Sequence, residues 1–359
     1  MKKILFIAPR FHTNQYYMIR YLLKKNRVFF IALYKGGIED YSYVIPQVLT
    51  QSNISKKIQS FFNLRFDTLY FPKILDLYKK IEKIKPDLII LRVYSRPLLY
   101  FVSILSKIFG CKIVYYDQTP LLKYNNFISC LKYCESITAR FIFRAAWYSP
   151  ILSKPKEKYR IPFLVKTKKK INYIKDRYKI LMIGKFQSRK SHFLLIKVFS
   201  ELLKNYKIHL TIIGEVSNQE HIKNFNFIKN YIKNKNLTNT CKIKTNIKFK
   251  TIEKEYEQCN LFVLPSHSEP AAISILEAQG LGRPVVCSDT CGTRIYLNKS
   301  SSKIFKSNDY NSLKQSIKYF LDRQKNYNKF INKSYENAVK NFSQERFQKD
   351  FTNFLNKNF

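Results

Sequence analysis

The chain has few acidic residues. Only 24 Asp and Glu stand against 65 Lys and Arg, so the formal net charge is +41 over 359 residues. The basic side chains are scattered along the whole chain instead of forming one arm. A positive field of this size favours polyanionic partners or an anionic membrane face, and a solvated lysine-rich surface is the alternative. Charge alone leaves open whether the excess is functional or compositional.

The sequence also has no apolar run long enough to span a bilayer. Its first nine residues contain only a short apolar run, with no small-residue cleavage site, and Arg10 follows directly. This pattern predicts a first buried strand and not a signal peptide. We expect a cytoplasmic protein, peripheral on the cytoplasmic face of the inner membrane. Nothing in the sequence specifies an oligomeric state.

Several chemical signatures are missing. The seven cysteines are odd in number and contain no C-x-x-C, which predicts reduced, mostly buried thiols. Cys130 with Cys134, or Cys287 with Cys291, would be the alternative as metal ligands. The chain has no G-x-S-x-G, no P-loop and no G-x-G-x-x-G. Triad hydrolysis, P-loop chemistry and a dinucleotide fingerprint therefore have no support.

Strand and helix signals alternate through both halves of the chain. The predicted strands are Ile4–Ala8, Leu88–Leu91, Cys111–Tyr116, Lys179–Gly184, Ile208–Gly214, Leu261–Leu264 and Pro284–Ser288. Apolar residues repeat at helical spacing between them, as in Ile74, Leu77, Tyr78 and Ile81. This alternation predicts an α/β protein with two Rossmann-like doubly wound domains facing across a cleft, with ligands at the carboxyl ends of the strands.

The pattern weakens between the two halves, where prolines and lysines accumulate. We predict an N-terminal domain over 1–150, a linker over 151–178 and a C-terminal domain over 179–340. A last helix over 341–359, with Ser343 as its N-cap, is expected to pack back on the N-terminal domain.

The segment from Leu261 to Val286 is the most informative part of the sequence. It reads as a buried strand, a loop containing Glu269, a helix with Glu277 in its first turns, and a second buried strand. The N-terminus of a helix offers unpaired backbone N–H groups and a partial positive charge, so it can hold an anion. Carboxylates beside such an anion can bind sugar or ribose hydroxyls. A sugar nucleotide is the ligand class that fits both features.

A second group of charged residues follows the strand that ends at Gly184. Lys185, Arg189 and Lys190 lie in the turn that leads to the next helix. Cations at a strand-to-helix turn predict another anion site, and a solvated turn is the alternative. His192 and His267, beside these motifs, are either substrate contacts or ordinary loop residues.

Both segments resemble the donor pocket of the retaining GT-B glycosyltransferases of the family 4 type, known as glycosyl transferases group 1. The family has Gly-Arg-Leu at the end of a strand, then a turn ending in Lys. Here Gly184, Lys185 and Phe186 occupy those places, and Lys190 ends the turn. The rest of the family pattern matches Pro265, Ser266, Glu269, Glu277, Gly280, Gly282, Pro284 and Val285. The resemblance is clear over 179–290, fair for the last helix and weak before residue 150.

The resemblance implies a role for each matching residue. Lys185 and Lys190 would bind the diphosphate, assisted by backbone N–H groups of Ala271, Ala272 and Ile273. Glu269 would contact the donor sugar and is a catalytic candidate, and Glu277 would contact the ribose hydroxyls. Cations placed at the leaving diphosphate lower the barrier directly, since negative charge develops there in the transition state. No Asp-x-Asp motif is present, so we expect no metal and no cofactor besides the nucleotide-sugar co-substrate.

Polar side chains also follow three strands of the first domain. The acceptor-binding candidates are Arg10, His12, Asn14, Gln15 and Arg92, and Asp117 is the candidate catalytic or acceptor-orienting carboxylate. A loop-capping role is the alternative for Asp117, and an ordinary loop position for His12. The resembling family often has a glycine-rich loop after the first strand, and here Arg10–Gln15 takes its place without a glycine. The family frequently has a histidine at the position of Asp117, and some members have aspartate there.

These features together predict a glycosyltransferase. It would move a sugar, with retention, from a nucleotide-diphosphate donor to a hydroxyl of a glycan or lipid-linked glycan, in bacterial lipopolysaccharide or capsule assembly. The aromatic and basic composition favours docking at an anionic membrane. Alternatives are an epimerase or phosphorylase of the same fold, an inactive scaffold, or a nucleic-acid binder. No recognisable nucleic-acid-binding module supports the last one.

Overall fold

The structure is a computed structural model that describes residues 1–11, 13–63, 69–92, 95–118, 138–151, 159–168 and 178–359. The chain divides into two compact units. Unit 1 contains Met1–Pro162 and Gln348–Phe359, and unit 2 contains Phe163–Phe347. The chain passes from unit 1 to unit 2 inside the predicted linker, and the last helix ends in unit 1.

Unit 1 contains a seven-stranded parallel sheet with the order β3-β2-β1-β4-β5-β6-β7. Its strands are β1 (Lys3–Ala8), β2 (Arg27–Ala32), β3 (Gln47–Val48), β4 (Leu88–Arg92), β5 (Lys112–Tyr116), β6 (Ala146–Ser149) and β7 (Tyr159–Arg160). The described helices are α1 (Thr13–Leu22), α2 (Asn53–Phe61), α3 (Ile74–Ile84) and α4 (Arg96–Ile108), with a π-helix at Thr138–Ile142.

Unit 2 contains a six-stranded parallel sheet with the order β10-β9-β8-β11-β12-β13. Its strands are β8 (Tyr178–Ile183), β9 (Ile208–Gly214), β10 (Cys241–Thr245), β11 (Leu261–Leu264), β12 (Val285–Ser288) and β13 (Ser302–Phe305). Its helices are α5 (His192–Leu202), α6 (Gln219–Asn234), α7 (Phe249–Glu257), α8 (Ser274–Gly280), α9 (Tyr310–Leu321) and α10 (Tyr327–Phe342), with 3-10 turns at Ser188–Lys190, Gly292–Tyr296 and Gln324–Asn326. The last helix, α11 (Gln344–Asn358), spans the change of unit.

The central strands form these sheets because they are apolar on both faces. β11 is buried at every position, as are β12 and all but the first residue of β1. Strands of this kind need helices on both sides, which is what parallel connections supply. The prediction of two Rossmann-like α/β domains is confirmed.

The sequence predicts the N-cap of the last helix. Ser343 precedes α11, and its Oγ accepts a hydrogen bond of 3.3 Å from the N–H of Arg346, as an N-cap does. Farther along, the rings of Phe351 and Phe354 lie 6.3 and 5.6 Å from that of Tyr148 on β6. None of the described helices combines the length and apolar content that crossing a membrane requires.

Candidate functional site

Neighbouring strands bring the two charged segments of unit 2 together. β8 and β11 pair directly, so the Gly184–Lys190 turn and the loop after Leu264 leave the same edge of the sheet. Gly184 makes room for Lys190, because a Cβ at this position would lie 3.2 Å from Cδ of the lysine. A larger residue at 184 would push against the buried lysine stem.

The carboxylate of Glu269 joins both cations of this turn. Arg189 Nη1 lies 2.6 Å from Glu269 Oε2, and Lys190 Nζ contacts the same oxygen. Glu269 and Lys190 are both buried. Burial opposes the ionisation of Glu269, but the charges of Lys190 and Arg189 outweigh it and lower the pKa of the carboxyl. The group is therefore an ionised carboxylate shared by two cations.

Backbone hydrogen bonds fix the loop that carries Glu269. Gly292 donates to the carbonyl of Glu269 at 2.8 Å, and His267 donates to the carbonyl of Arg189 at the same distance. Ser268 has a φ of +55°, in the left-handed region that a non-glycine residue adopts only at some cost. The loop is therefore pinned on two sides, which holds the Glu269 carboxylate in a defined place.

Lys185 is paired as well. Its Nζ lies 2.9 Å from Glu215 Oε2, in the residue that follows β9. Lys185 is half-buried, whereas Lys190 is buried. This edge of unit 2 thus carries three cations, Lys185, Arg189 and Lys190, and two of the carboxylates facing them are Glu215 and Glu269.

Glu277 lies in the first turn of α8 and is buried. Its Oε2 accepts a hydrogen bond of 3.0 Å from the hydroxyl of Tyr256, at the end of α7. Its Oε1 has no hydrogen-bond partner among the described residues. Burial raises the pKa of Glu277 to about 7, partly offset by the Tyr256 hydrogen bond. A buried carboxylate oxygen without a donor is costly unless a ligand supplies one.

The backbone of Ala271, Ala272 and Ile273 leads into α8. The helix begins at Ser274 and is seven residues long, with Ile273 as its N-cap residue. Within the described part of the chain, the N–H groups of these three residues donate no hydrogen bond. Thr293 Oγ1 donates to the carbonyl of Ala272 at 2.8 Å, which holds the segment in place.

The candidate acceptor-binding residues follow three strands of unit 1. β1, β4 and β5 are neighbours, so the residues that follow them lie at one edge of the sheet. Arg10 is buried, with Nη1 3.3 Å from Oε1 of the buried Glu39. Asn14 and Gln15 lie in the first turn of α1, and Arg92 is the last residue of β4. His12 lies outside the described residues.

Asp117 directly follows β5 and is buried. Its backbone N–H donates to the carbonyl of Tyr148 at 3.2 Å, which ties it to the neighbouring strand β6. The geometry therefore places Asp117 at the carboxyl edge of the sheet, with its backbone fixed to β6.

The two histidines beside the donor motifs differ in environment. His192 is buried and stacks on Phe186, with ring centroids 4.8 Å apart. Burial lowers the pKa of His192 to about 3, so the ring is neutral at physiological pH. The Nδ1 of His267 lies 3.2 Å from the hydroxyl of Ser191. His192 is thus a core residue, and His267 joins the two loops of the site.

Three partners of the candidate residues were not predicted from the sequence, namely Glu39, Glu215 and Tyr256. Glu215 has a usable signal, since it directly follows a strand at the same edge as Lys185. Glu39 and Tyr256 have no such signal in the sequence, because each meets its partner only through the tertiary fold.

In the described segments no group of three or more His, Cys, Asp or Glu side chains could hold a metal ion. Cys287 and Cys291 are buried free thiols, and Cys130 and Cys134 lie outside the described residues.

Comparison with known proteins agrees with this arrangement. Residues 165–337 match the family described as "Glycosyl transferases group 1". A glycosyltransferase from Rickettsia africae is similar in structure, with a TM-score of 0.73 and 17% identity, over 98% of this chain and 97% of that one. HepE of Anabaena, solved with UDP and glucose, has a TM-score of 0.76 and 13% identity, over 99% and 100% of the two chains.

A third similar structure is the lipopolysaccharide outer core galactosyltransferase WaaB, with a TM-score of 0.62 and 15% identity, over 99% of this chain and 100% of that one. No match was found among the curated proteins. The two Rossmann-like units and these matches define a protein of the GT-B fold. Residues 165–337 match the glycosyl transferases group 1 family, so this part of the chain is a glycosyltransferase domain.

Proposed function

We propose that the chain transfers a sugar, with retention, from a nucleoside diphosphate to a hydroxyl of a glycan or lipid-linked glycan. The reaction belongs to bacterial surface polysaccharide assembly, as in lipopolysaccharide or capsule. The observation that carries the proposal is the carboxylate of Glu269 shared by Arg189 and Lys190, at one edge of the sheet with the unpartnered Oε1 of Glu277.

The charges of the site suit a diphosphate. Arg189 and Lys190 share one carboxylate, which leaves a positive charge in excess at a largely buried place. A diphosphate supplies the missing negative charge, with the backbone N–H groups of Ala271, Ala272 and Ile273 as further donors. Lys185, which is half-buried, adds a third cation. When the cations turn from Glu269 to the phosphates, the carboxylate of Glu269 becomes free to accept hydrogen bonds from the donor sugar.

Glu277 completes the donor site. Its Oε1 takes the hydroxyls of the ribose, which provide the hydrogen bonds that the described residues leave unmade. Tyr256 holds the other oxygen and fixes the direction of the carboxylate. In this proposal the donor sugar lies at Glu269, the diphosphate lies at the three cations, and the ribose lies at Glu277.

In the transfer step the bond between the anomeric carbon and the phosphate oxygen breaks, and the acceptor oxygen bonds to that carbon. The electron pair of the broken bond stays on the diphosphate, where Lys185 and Lys190 stabilise it. Asp117 orients the acceptor hydroxyl and accepts its proton, with Arg10, His12, Asn14, Gln15 and Arg92 as acceptor contacts. The chain's own cations stabilise the leaving group, so the reaction needs no divalent ion.

Similar proteins support this acceptor class. WaaB is described as a lipopolysaccharide outer core galactosyltransferase, and TarM of S. aureus was solved with α-GlcNAc-glycerol and UDP. A lipid-linked acceptor would bring the enzyme to the cytoplasmic face of the inner membrane. The net charge of +41 suits that anionic surface.

A thermal-shift screen of nucleotide sugars tests the proposal. A donor at a free concentration of about 100 times its Kd should add about 2.7 kcal/mol to the free energy of unfolding, because it binds only the folded chain. The donor that raises the melting temperature is then incubated with candidate glycan acceptors, with and without EDTA, and the anomeric configuration of the product is read by NMR. An epimerised donor without transfer, or an inverted product, would contradict the proposal.

A further inference from the structure

Helix α2 of unit 1 is packed with its polar side inward. Ser55 and Gln59 are its buried residues, whereas Ile54 and Phe61 are exposed. Ile54, Ile58 and Phe61 recur at helical spacing, and Phe62 follows as the C-cap residue. These four residues are called the α2 stripe. A helix in a soluble protein normally buries such a stripe against the core, so this orientation needs an explanation.

Hydrogen bonds hold the helix in this orientation. Gln51 Nε2 donates to Ser55 Oγ at 2.8 Å and to Gln59 Oε1 at 2.7 Å. Ser55 Oγ also accepts from the N–H of Phe71 at 3.2 Å. Rotating α2 to bury its apolar stripe would leave these buried polar groups without partners, at a cost of about 1–3 kcal/mol each. These hydrogen bonds therefore fix the orientation in which the α2 stripe faces outward.

The exposed apolar surface is large. Phe61 is 82% exposed, Ile54 67% and Phe62 62%. The chain just before α3 is joined to the chain just before α2, because the N–H of Lys73 donates to the carbonyl of Thr50 at 2.8 Å. The second residue of α3, Leu75, is also exposed. The rings of Phe61 and Phe62 lie 4.9 Å apart and form one exposed apolar patch, and such a patch marks a binding surface.

Charge indicates what covers the patch. Lys56 and Lys57 are exposed on α2, and Lys73 precedes α3. α2 contains no acidic residue, and Asp76 of α3 is already bonded to Lys80 and to the N–H of Thr50. Phenylalanines flanked by lysines are typical of helices that lie in the headgroup region of anionic bilayers. A protein partner would need an apolar groove together with several acidic residues at matching positions. An anionic bilayer offers an apolar interior and negative headgroups over its whole surface.

We propose that the α2 stripe docks the enzyme on an anionic lipid bilayer, with Phe61 and Phe62 inserted at the level of the headgroups and Lys56, Lys57 and Lys73 at the lipid phosphates. The inference rests on the membrane location in the proposed function and on none of its chemistry. Lipid binding is measured without donor or acceptor. A negative result would therefore leave sugar transfer intact, and a failure of transfer would leave the docking surface intact.

The test is co-sedimentation with vesicles of phosphatidylcholine alone and of phosphatidylcholine with an equal part of phosphatidylglycerol. Wild type should pellet with the anionic vesicles. Phe61→Ser combined with Phe62→Ser should lower the partition coefficient by on the order of tenfold or more, since burying one such side chain is worth about 1.5–3 kcal/mol. Phe227→Ser, which removes an exposed phenylalanine of unit 2, is the matched control and should bind like wild type.

A second variant separates charge from apolar contact. Lys56→Gln combined with Lys57→Gln should weaken binding to anionic vesicles by about fivefold per lysine and leave weak binding to neutral vesicles unchanged. Unchanged melting temperatures show that each variant folds. Equal pelleting with both vesicles, or wild-type binding by the phenylalanine variant, would overturn the proposal. So would a lipid-free dimer that dissociates in that variant, since the occupant would then be a second copy of the chain.

Discussion

The carboxyl edges of the two sheets carry different balances of charge. In unit 2, Arg189 and Lys190 share the single carboxylate of Glu269. In unit 1, Arg10 has a carboxylate of its own in the buried Glu39, 3.3 Å away. An edge with positive charge in excess is suited to a ligand that brings negative charge. A balanced edge is suited to a neutral ligand that brings hydroxyls, as a glycan does.

The two edges differ in how their residues come together as well. Those of unit 2 come mainly from two short motifs, joined by the direct pairing of β8 with β11. Those of unit 1 come one or a few at a time from the ends of β1, β4 and β5. A site made of short motifs can be read from sequence. A site assembled from single residues at several strand ends is visible only in the fold.

The largest expected effect is at the cation-rich edge. Lys190→Ala should lower kcat about 100- to 1000-fold, because the leaving diphosphate loses a preorganised charge. The measurement is steady-state kinetics with the donor found by thermal shift, together with the donor-induced change in melting temperature.

Lys204→Ala, which removes an exposed lysine just after α5, is the control and should behave like wild type. Wild-type turnover by the Lys190 variant would show that this edge does not hold the diphosphate, and the contrast between the two edges would lose its functional meaning.

At the balanced edge, Asp117→Asn should lower kcat by about 100-fold, within the range for loss of a positioned base. The donor-induced thermal shift should stay unchanged, because the donor is bound by unit 2. Asp309→Asn is the control for a purely capping role, since Asp309 Oδ1 accepts from the N–H of Ser312 at 2.9 Å at the start of α9. If both variants kept full activity, Asp117 would be a structural residue.

The smallest kinetic effect is expected at Glu277. Glu277→Gln should raise the KM for the donor about tenfold, through the loss of a charged hydrogen-bond acceptor for the ribose. In wild type the same KM should rise as the pH falls below about 7, where the carboxylate becomes protonated. The variant should lack this pH dependence.

The same substitution should stabilise the fold. The folded-state pKa of Glu277 lies above its usual 4.5, so wild-type stability falls as the pH rises from about 4.5 through about 7. At pH 8 the glutamine variant should be more stable by about 3 kcal/mol, and the gain should shrink towards pH 4.5. Glu220→Gln, at an exposed position of α6, should change neither property. A variant that gained no stability would show that burial does not raise the pKa of Glu277 in the folded protein.

Much of unit 2 could be predicted from its residues. Buried strands such as β11 are continuous apolar runs, and Glu269 and Lys190 follow strands whose order in a Rossmann-like sheet makes them neighbours. The surroundings of these residues could not be predicted. Glu39 and Tyr256 reach Arg10 and Glu277 from segments with no recognisable motif.

The sequence by itself determined the α/β alternation, the two Rossmann-like domains and the residues that meet at the edge of the second sheet. These features follow from local periodicity and short motifs. Tertiary structure alone decided which cations share a carboxylate, that Glu277 has its pKa near 7, and that α2 presents its phenylalanines to solvent. Burial and pairing depend on residues distant in the chain, so the hydrogen bonds of Gln51, and not the pattern of α2, decide which side of that helix faces inward.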